Sequence, residues 1–223
     1  MTRYIFRRFG HRNVLVGVES FPSGVYDPFF DIMLHDVFAR LKQEASVAVN
    51  NHWHFATPCS SFSLLQNLNG GTRPKQRPQG DGSLDRENIG NELLRRSLVL
   101  IRLLAKGSNT WSLENPGTSY LFHMPSVKQL TSRVSVDVAI LDQCMFGLRF
   151  QGAPRSTRIR KYTRVVGNID LSSLGLRCNR KHDYDQVIGS ILTKAGWQQR
   201  SALAAVYPLA FCRSLELAAR RSH

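Results

Sequence analysis

Three short apolar runs alternate with two longer stretches of helical spacing, and this alternation leaves the chain few architectures. Val14–Glu19, Val47–Ala56 and Thr110–Leu113 read as strands. Between them, Asp31–Glu44 carries Met33, Leu34, Val37, Phe38 and Leu41 at helical intervals. Asp85–Lys106 carries an inner stripe of Ile89, Leu93, Leu94, Ile101 and Leu104, with Asp85 as its expected cap and Gly107 as its stop. Strand, helix, strand, helix, strand predicts an α/β domain with a mostly parallel sheet and helices on both faces. Val134–Leu141 reads as a further strand, and Ser201–Arg221 as a closing helix interrupted near Pro208. Such sheets carry their sites at the C-terminal ends of strands. Cys59 and Glu114 each sit just past such an end and are expected to face one pocket.

Charge defines the expected partner. Among 223 residues, 30 Lys and Arg stand against 16 Asp and Glu, a formal charge of +14. That excess costs self-repulsion, which a polyanion relieves, so nucleic acid is expected, DNA ahead of RNA. An anionic membrane surface is the rival, but no long amphipathic basic helix stands apart from the body of the chain. Leu93–Ala105 is interrupted by Arg95, Arg96 and Arg102, and Ser201–Cys212 by Pro208, so neither reads as a membrane span. Val14–Val18 is too short for a signal sequence core. Cys59, Cys144, Cys178 and Cys212 lie far apart and do not form a disulfide framework. An intracellular, nuclear or cytoplasmic protein without a membrane partner is expected. The oligomeric state stays open.

Residues 1–13, with Arg3, Arg7, Arg8 and Arg12, read as a basic N-terminal arm, and residues 14–223 as a single domain. Within that domain 67–84, rich in Gly, Pro, Arg and Gln, reads as a mobile loop. Its Arg73, Lys75 and Arg77 form one basic cluster. A second lies in 149–164, where Arg158 and Arg160 alternate and would share one face of a strand, followed by Lys161. Such clusters bind phosphates, or protect a solvated edge strand by charge.

Cys59 follows Pro58 and precedes a small polar run, so it is either an exposed nucleophile or a buried structural cysteine. Glu114-Asn115-Pro116 is either a proton donor at a strand end or a turn. Cys178 and His182 supply half of a zinc ligand set, but no second pair accompanies them, so no metal is expected.

Taken together, Pro58-Cys59-Ser60-Ser61-Phe62-Ser63, Glu114-Asn115 and Ser156-Thr157-Arg158-Ile159-Arg160 resemble motifs of the cytosine-5 DNA methyltransferases. Pro116 stands where valine is usual, and Ser156 where glutamine is usual. Asp142-Gln-Cys-Met-Phe-Gly147, Lys161-x-Thr163 and Cys178…His182 are similar to divergent modules of that family in retroelement-rich genomes of algae and protists. The resemblance implies a Rossmann-like fold of the S-adenosylmethionine-dependent type. It implies Cys59 as nucleophile toward cytosine carbon 6, Glu114 as acid with Asn115 beside it, and S-adenosylmethionine as methyl donor. Ser63, Arg158 and Arg160 would hold the base and backbone, and the loop after Cys59 would close over them. The family's glycine-rich cofactor motif has no counterpart, since Gly10, Gly17 and Gly24 are scattered. Glu19 would then bind the cofactor ribose, Pro58 would line the pocket, and the chain would begin after the family's first strand. Two other readings remain open: a non-catalytic nucleic-acid-binding module of a mobile-element protein, and an unrelated basic α/β RNA binder.

Overall fold

Each strand of the central sheet sends alternate side chains to two different layers, and that period of two organises the molecule. The computed structural model describes residues 3–8, 14–19, 31–133, 135–193 and 196–222. In chain order the elements are β1 (Arg3–Arg8), β2 (Val14–Glu19), α1 (His35–Val47), β3 (His52–Ala56), α2 (Asp85–Leu104), β4 (Thr110–Pro116), α3 (Pro125–Thr131) and β5 (Asp137–Asp142). They continue with β6 (Thr157–Ile159), β7 (Tyr162–Gly167), β8 (Asp183–Asp185), β9 (Ser190–Thr193), β10 (Gly196–Gln199), α4 (Arg200–Leu203) and α5 (Leu209–Arg221).

The fold is mixed α/β, built on a four-stranded sheet in the order β3-β4-β7-β5. β3 and β4 run parallel, while β7 runs antiparallel to both β4 and β5. The expectation of a mostly parallel sheet is therefore corrected: the sheet is small and mixed. The cause lies between β5 and β7. A parallel return needs a crossover, usually helical. The basic segment 149–164 has no helical spacing, and the chain comes straight back so that Tyr162 pairs with Asp142.

On one face Trp53, Phe55, Trp111, Leu113 and Val166 pack with Val37, Phe38 and Leu41 of α1 and Leu94, Ile101 and Leu104 of α2. On the other face Ala139, Leu141 and Val165 pack against Phe211 and Leu215 of α5. Val165 and Val166 are neighbours in sequence and serve opposite layers, as the strand period requires. Each such side chain contributes roughly 1.5–3 kcal/mol on full burial. Two details of the helices differ from expectation. Leu84, not Asp85, is the N-cap of α2, and Asp85 and Glu87 lie in its first turn, where they complement the helix dipole. Ile89 is exposed, and Gly90 takes the inward position beside it. The closing helix divides at Pro208, the N-cap of α5.

β1 and β2 form an antiparallel hairpin, and β1 lies beside β3. Part of the expected basic arm is thus a strand; the rest of residues 1–13 lies outside the described residues. β6 pairs with β8, and β9 with β10, as two-stranded outworks. Among the described residues no helix is long and apolar enough to cross a membrane.

Candidate active site at the ends of β3 and β4

The parallel register of β3 and β4 sets Ala56 opposite Glu114, so the loop leaving β3 with Cys59 runs beside the end of β4. Asn115 staples that loop: its Nδ2 donates to the Thr57 carbonyl at 2.6 Å. The Phe62 N–H donates to the Cys59 carbonyl at 3.1 Å, and the Tyr120 N–H donates to the Phe62 carbonyl at 2.9 Å. Phe62 is fully buried. The loop also rests on α2 at Gly90, where a Cβ would run into the Ser61 hydroxyl. The loop is therefore fixed at both ends and in the middle.

Glu114 is buried, and the Tyr207 hydroxyl donates to its Oε2. Its Oε1 has no partner among the described residues, and neither do Thr57 Oγ1, Ser61 Oγ and Asn115 Oδ1. Buried polar atoms in native proteins are nearly always paired, so several around one loop mark a place that a polar ligand would complete. Beneath Glu114 lies a buried polar row. The Ser112 hydroxyl hydrogen-bonds His54 Nδ1 at 2.8 Å and His52 Nε2 at 3.0 Å, and His52 Nδ1 reaches the Thr110 hydroxyl at 2.9 Å. The Lys161 ammonium lies 5.5 Å from the centre of the Tyr207 ring.

Cys59 keeps an exposed surface, yet protein crowds its thiol. Burial is the largest influence and pushes the thiol above its ordinary value; Lys161 pulls it down, and the Glu114 charge pushes it up again. The resting group is the neutral thiol, and forming the thiolate requires a proton acceptor. Tyr207 is raised well above its ordinary value, by burial first and then by Glu114, so its hydroxyl stays a donor.

The basic residues separate into two kinds. Arg73, expected on the nucleic-acid surface, is 1% exposed, and that expectation is corrected. Its Nη1 donates to Asn91 Oδ1 at 2.9 Å and to the Pro78 carbonyl, its Nη2 donates to the Glu87 carbonyl at 2.8 Å, and its guanidinium stacks 4.2 Å over Phe62. The expected mobile loop 67–84 is accordingly tied down to α2, also through Thr72, whose N–H and hydroxyl both donate to Glu87. Lys75 and Arg77 are exposed. The His123 imidazole is held below its ordinary value, by burial first and then by Lys75, Lys128 and Arg164, which marks this flank as electropositive.

Arg158 and Arg160 do not share a strand face, because β6 ends at Ile159. Arg158 donates to the carbonyls of Cys144 at 3.2 Å and Arg155 at 3.1 Å. Arg160 donates to Asp142 Oδ1 at 3.2 Å, while Arg177 takes Oδ2 at 3.0 Å. Ser63 caps the short 3-10 helix Leu64–Asn69 by accepting from the Leu65 N–H. Pro58 is half-buried. Glu19 ends β2 in register with Arg3.

Tyr207, His54 and Ser112 are functional candidates that the sequence reading does not single out. His52, His54, Thr110 and Ser112 carry a signal, a polar alternation opposite Trp53, Phe55 and Trp111; Tyr207 carries none. Cys144 also comes to lie beside Cys178 and His182, although the sequence shows no second pair of ligands. A depression of about 290 Å³ lined by Ala45, Ser46, Leu103, Lys106, Gly107 and Asn109 lies at the opposite ends of β3 and β4. It touches none of these groups. Comparison of the chain with family models, curated proteins and solved structures finds no match.

Proposed function

We propose that this chain is a cytosine-5 methyltransferase-like protein that takes a pyrimidine base of nucleic acid between Cys59 and Glu114. The observation that carries the reading is the pairing of a cysteine loop and a buried carboxylate at the ends of two registered parallel strands. Tyr207 occupies one oxygen of that carboxylate and leaves Oε1 for a ligand. A cytosine amidine edge offers such a ligand. The Cys59 thiol gives its proton up to the Glu114 carboxylate, and its sulfur adds to carbon 6, forming the S–C6 bond as the C5=C6 double bond breaks. Glu114 supplies a proton to ring nitrogen 3, so the displaced electron pair makes carbon 5 a nucleophile. Carbon 5 then takes a solvent proton. Its original hydrogen leaves to solvent as a proton, the double bond re-forms as the sulfur is expelled, and the nitrogen 3 proton returns by way of Glu114 to the thiol.

The methyl donor of this family, S-adenosylmethionine, does not fit the residues described. A phosphate- or ribose-binding turn needs a glycine-rich passage from a strand end into a helix. β2 is instead half of an antiparallel hairpin, Gly17 lies inside it, and Gly10 and Gly24 fall outside the described residues.

A DNA oligonucleotide carrying tritium at cytosine carbon 5 tests the reading without any cofactor. Wild type should release tritium to water, and Cys59→Ser should release none. Glu114→Gln should be slower by about 10²–10⁴, the usual contribution of general acid–base catalysis. Release no greater than that of Cys59→Ser, from a protein that binds the oligonucleotide, would leave the second reading. That reading is a non-catalytic nucleic-acid-binding module, favoured by the neutral resting thiol of Cys59.

A further inference from the structure

Outside the Cys59 site, the sulfurs of Cys144 and Cys178 and a ring nitrogen of His182 lie within 4.8 Å of one another. Cys144 sits in the short 3-10 helix Gln143–Phe146 that follows β5, and Cys178 and His182 in the segment leading to β8. The Cys178 sulfur and His182 Nε2 are 3.6 Å apart. Tetrahedral zinc, with bonds of about 2.3 Å to sulfur and about 2.0–2.1 Å to nitrogen, sets that edge at about 3.6 Å. The pair already has the separation that an ion would impose. Backbone groups hold it there. The Arg180 N–H donates to the Cys178 sulfur at 3.3 Å, with Arg180 itself in the left-handed region at φ 59, which bends Cys178-Asn-Arg-Lys-His182 back on itself. The Cys178 N–H is anchored on Asp142 Oδ2 at 3.0 Å. The Tyr184 hydroxyl is hydrogen-bonded to the Cys178 sulfur at 2.8 Å, on the same side of the cluster.

We propose that Cys144, Cys178 and His182 bind one thiophilic divalent cation of the zinc class, with the fourth position beside the Tyr184 hydroxyl. Two thiolates and an imidazole select zinc over magnesium or calcium, which prefer oxygen. Each thiol gives up its proton as its metal–sulfur bond forms, and nothing is oxidised or reduced. The ion joins the end of β5 to the β6–β8 outwork, and so fixes the ground on which Asp142, Arg160 and Arg177 stand. This role is structural and independent of Cys59.

The full chain, purified under reducing conditions without chelator, should carry about one equivalent of zinc or take up cobalt(II) in its place. Cobalt should give a thiolate charge-transfer band and the strong d–d bands of a tetrahedral ion, and zinc should displace it. Cys178 is partly exposed, so Cys178→Ser should fold normally by circular dichroism. It should lose cobalt affinity by more than the roughly 10–100-fold that loss of an outer-shell partner costs. His182→Gln should weaken binding likewise, whereas Cys59→Ser and Cys212→Ser should leave the bands unchanged. Folded, reduced wild type that gives no charge-transfer band overturns the proposal. So does a band that survives Cys178→Ser or moves with Cys59→Ser. A Cys144–Cys178 disulfide that forms in air and leaves no cobalt-binding reduced form overturns it as well.

Discussion

Removing the Arg73 guanidinium separates a structural post from a phosphate ligand. Arg73→Ala strips the buried carbonyls of Pro78 and Glu87 of their side-chain donor, and Asn91 loses a third bond. A buried acceptor left unsatisfied costs about 1–3 kcal/mol. The buried Glu87 carboxylate also loses the Arg73 charge that compensates it, and uncovering a buried charge in this way costs about 3–5 kcal/mol. The Phe62 ring loses its cationic cover at the same time. Set against a typical domain stability of about 5–15 kcal/mol, this is a large fraction. For a chain of this size each kcal/mol moves Tm by about 2–4 °C, so Tm should fall by about 6–20 °C. Thermal and urea unfolding followed by circular dichroism measure it. Arg73→Lys should recover little, because an ammonium cannot span three fixed acceptors. The exposed neighbours Lys75→Ala and Arg77→Ala should stay within about 0.5 kcal/mol of wild type. A loss below about 1 kcal/mol in Arg73→Ala, with DNA binding weakened instead, would refute the buried role.

Neutralising Lys75 and Arg77 together should weaken binding to duplex DNA with little regard to sequence. It should also flatten the log–log salt dependence by about 2, near one for each phosphate no longer neutralised, as titrations at several salt concentrations would show. Tyr207→Phe removes the donor to Glu114 Oε2 and should cost about 1–3 kcal/mol in urea unfolding. A change within error would mean that the hydroxyl does not reach the carboxylate. Stability should also fall on the acid side. Burial alone would raise the Asp142 carboxyl, but the Cys178 N–H, Arg177 and Arg160 together hold it below its ordinary value. Glu92 is held at about 2, first by its hydrogen bond from Arg95. Both folded values lie below the unfolded ones. Their contributions are therefore present above the ordinary carboxylate values and lost as pH falls through the lowered folded ones, about 2 for Glu92. Asp142→Asn should flatten this decline in a series of urea midpoints, and an unchanged slope would count against the network.

The parts legible in the sequence are those whose signal is local. α2 announces itself by spacing, and β3 and β4 by short apolar runs. Cys59 and Glu114 could be brought together because one follows and the other lies near the end of strands that a helix connects, and such strands tend to lie side by side, although Glu114 proves to be inside β4 and not beyond it. The antiparallel course of β7 is not legible from strand periodicity, which is the same in both directions; only the lack of a helix in 149–164 hints at it. Arg73 misleads because an arginine in a polar loop is ordinarily solvated, and only its partners on α2 and the loop draw it inside. Tyr207 and Cys144 reach their places through tertiary packing, which spacing along the chain does not record.

The loop bearing Cys59 is held by Asn115, Tyr120 and Gly90 before any ligand arrives. Fixing a free backbone costs about 1–2 kcal/mol per residue, so a loop that had to fold over its substrate would spend much of the binding energy on order. Here that entropy is already lost during folding. A base entering this site should bind with a heat-capacity change that reflects its own buried surface alone, without the added contribution of a segment ordering around it.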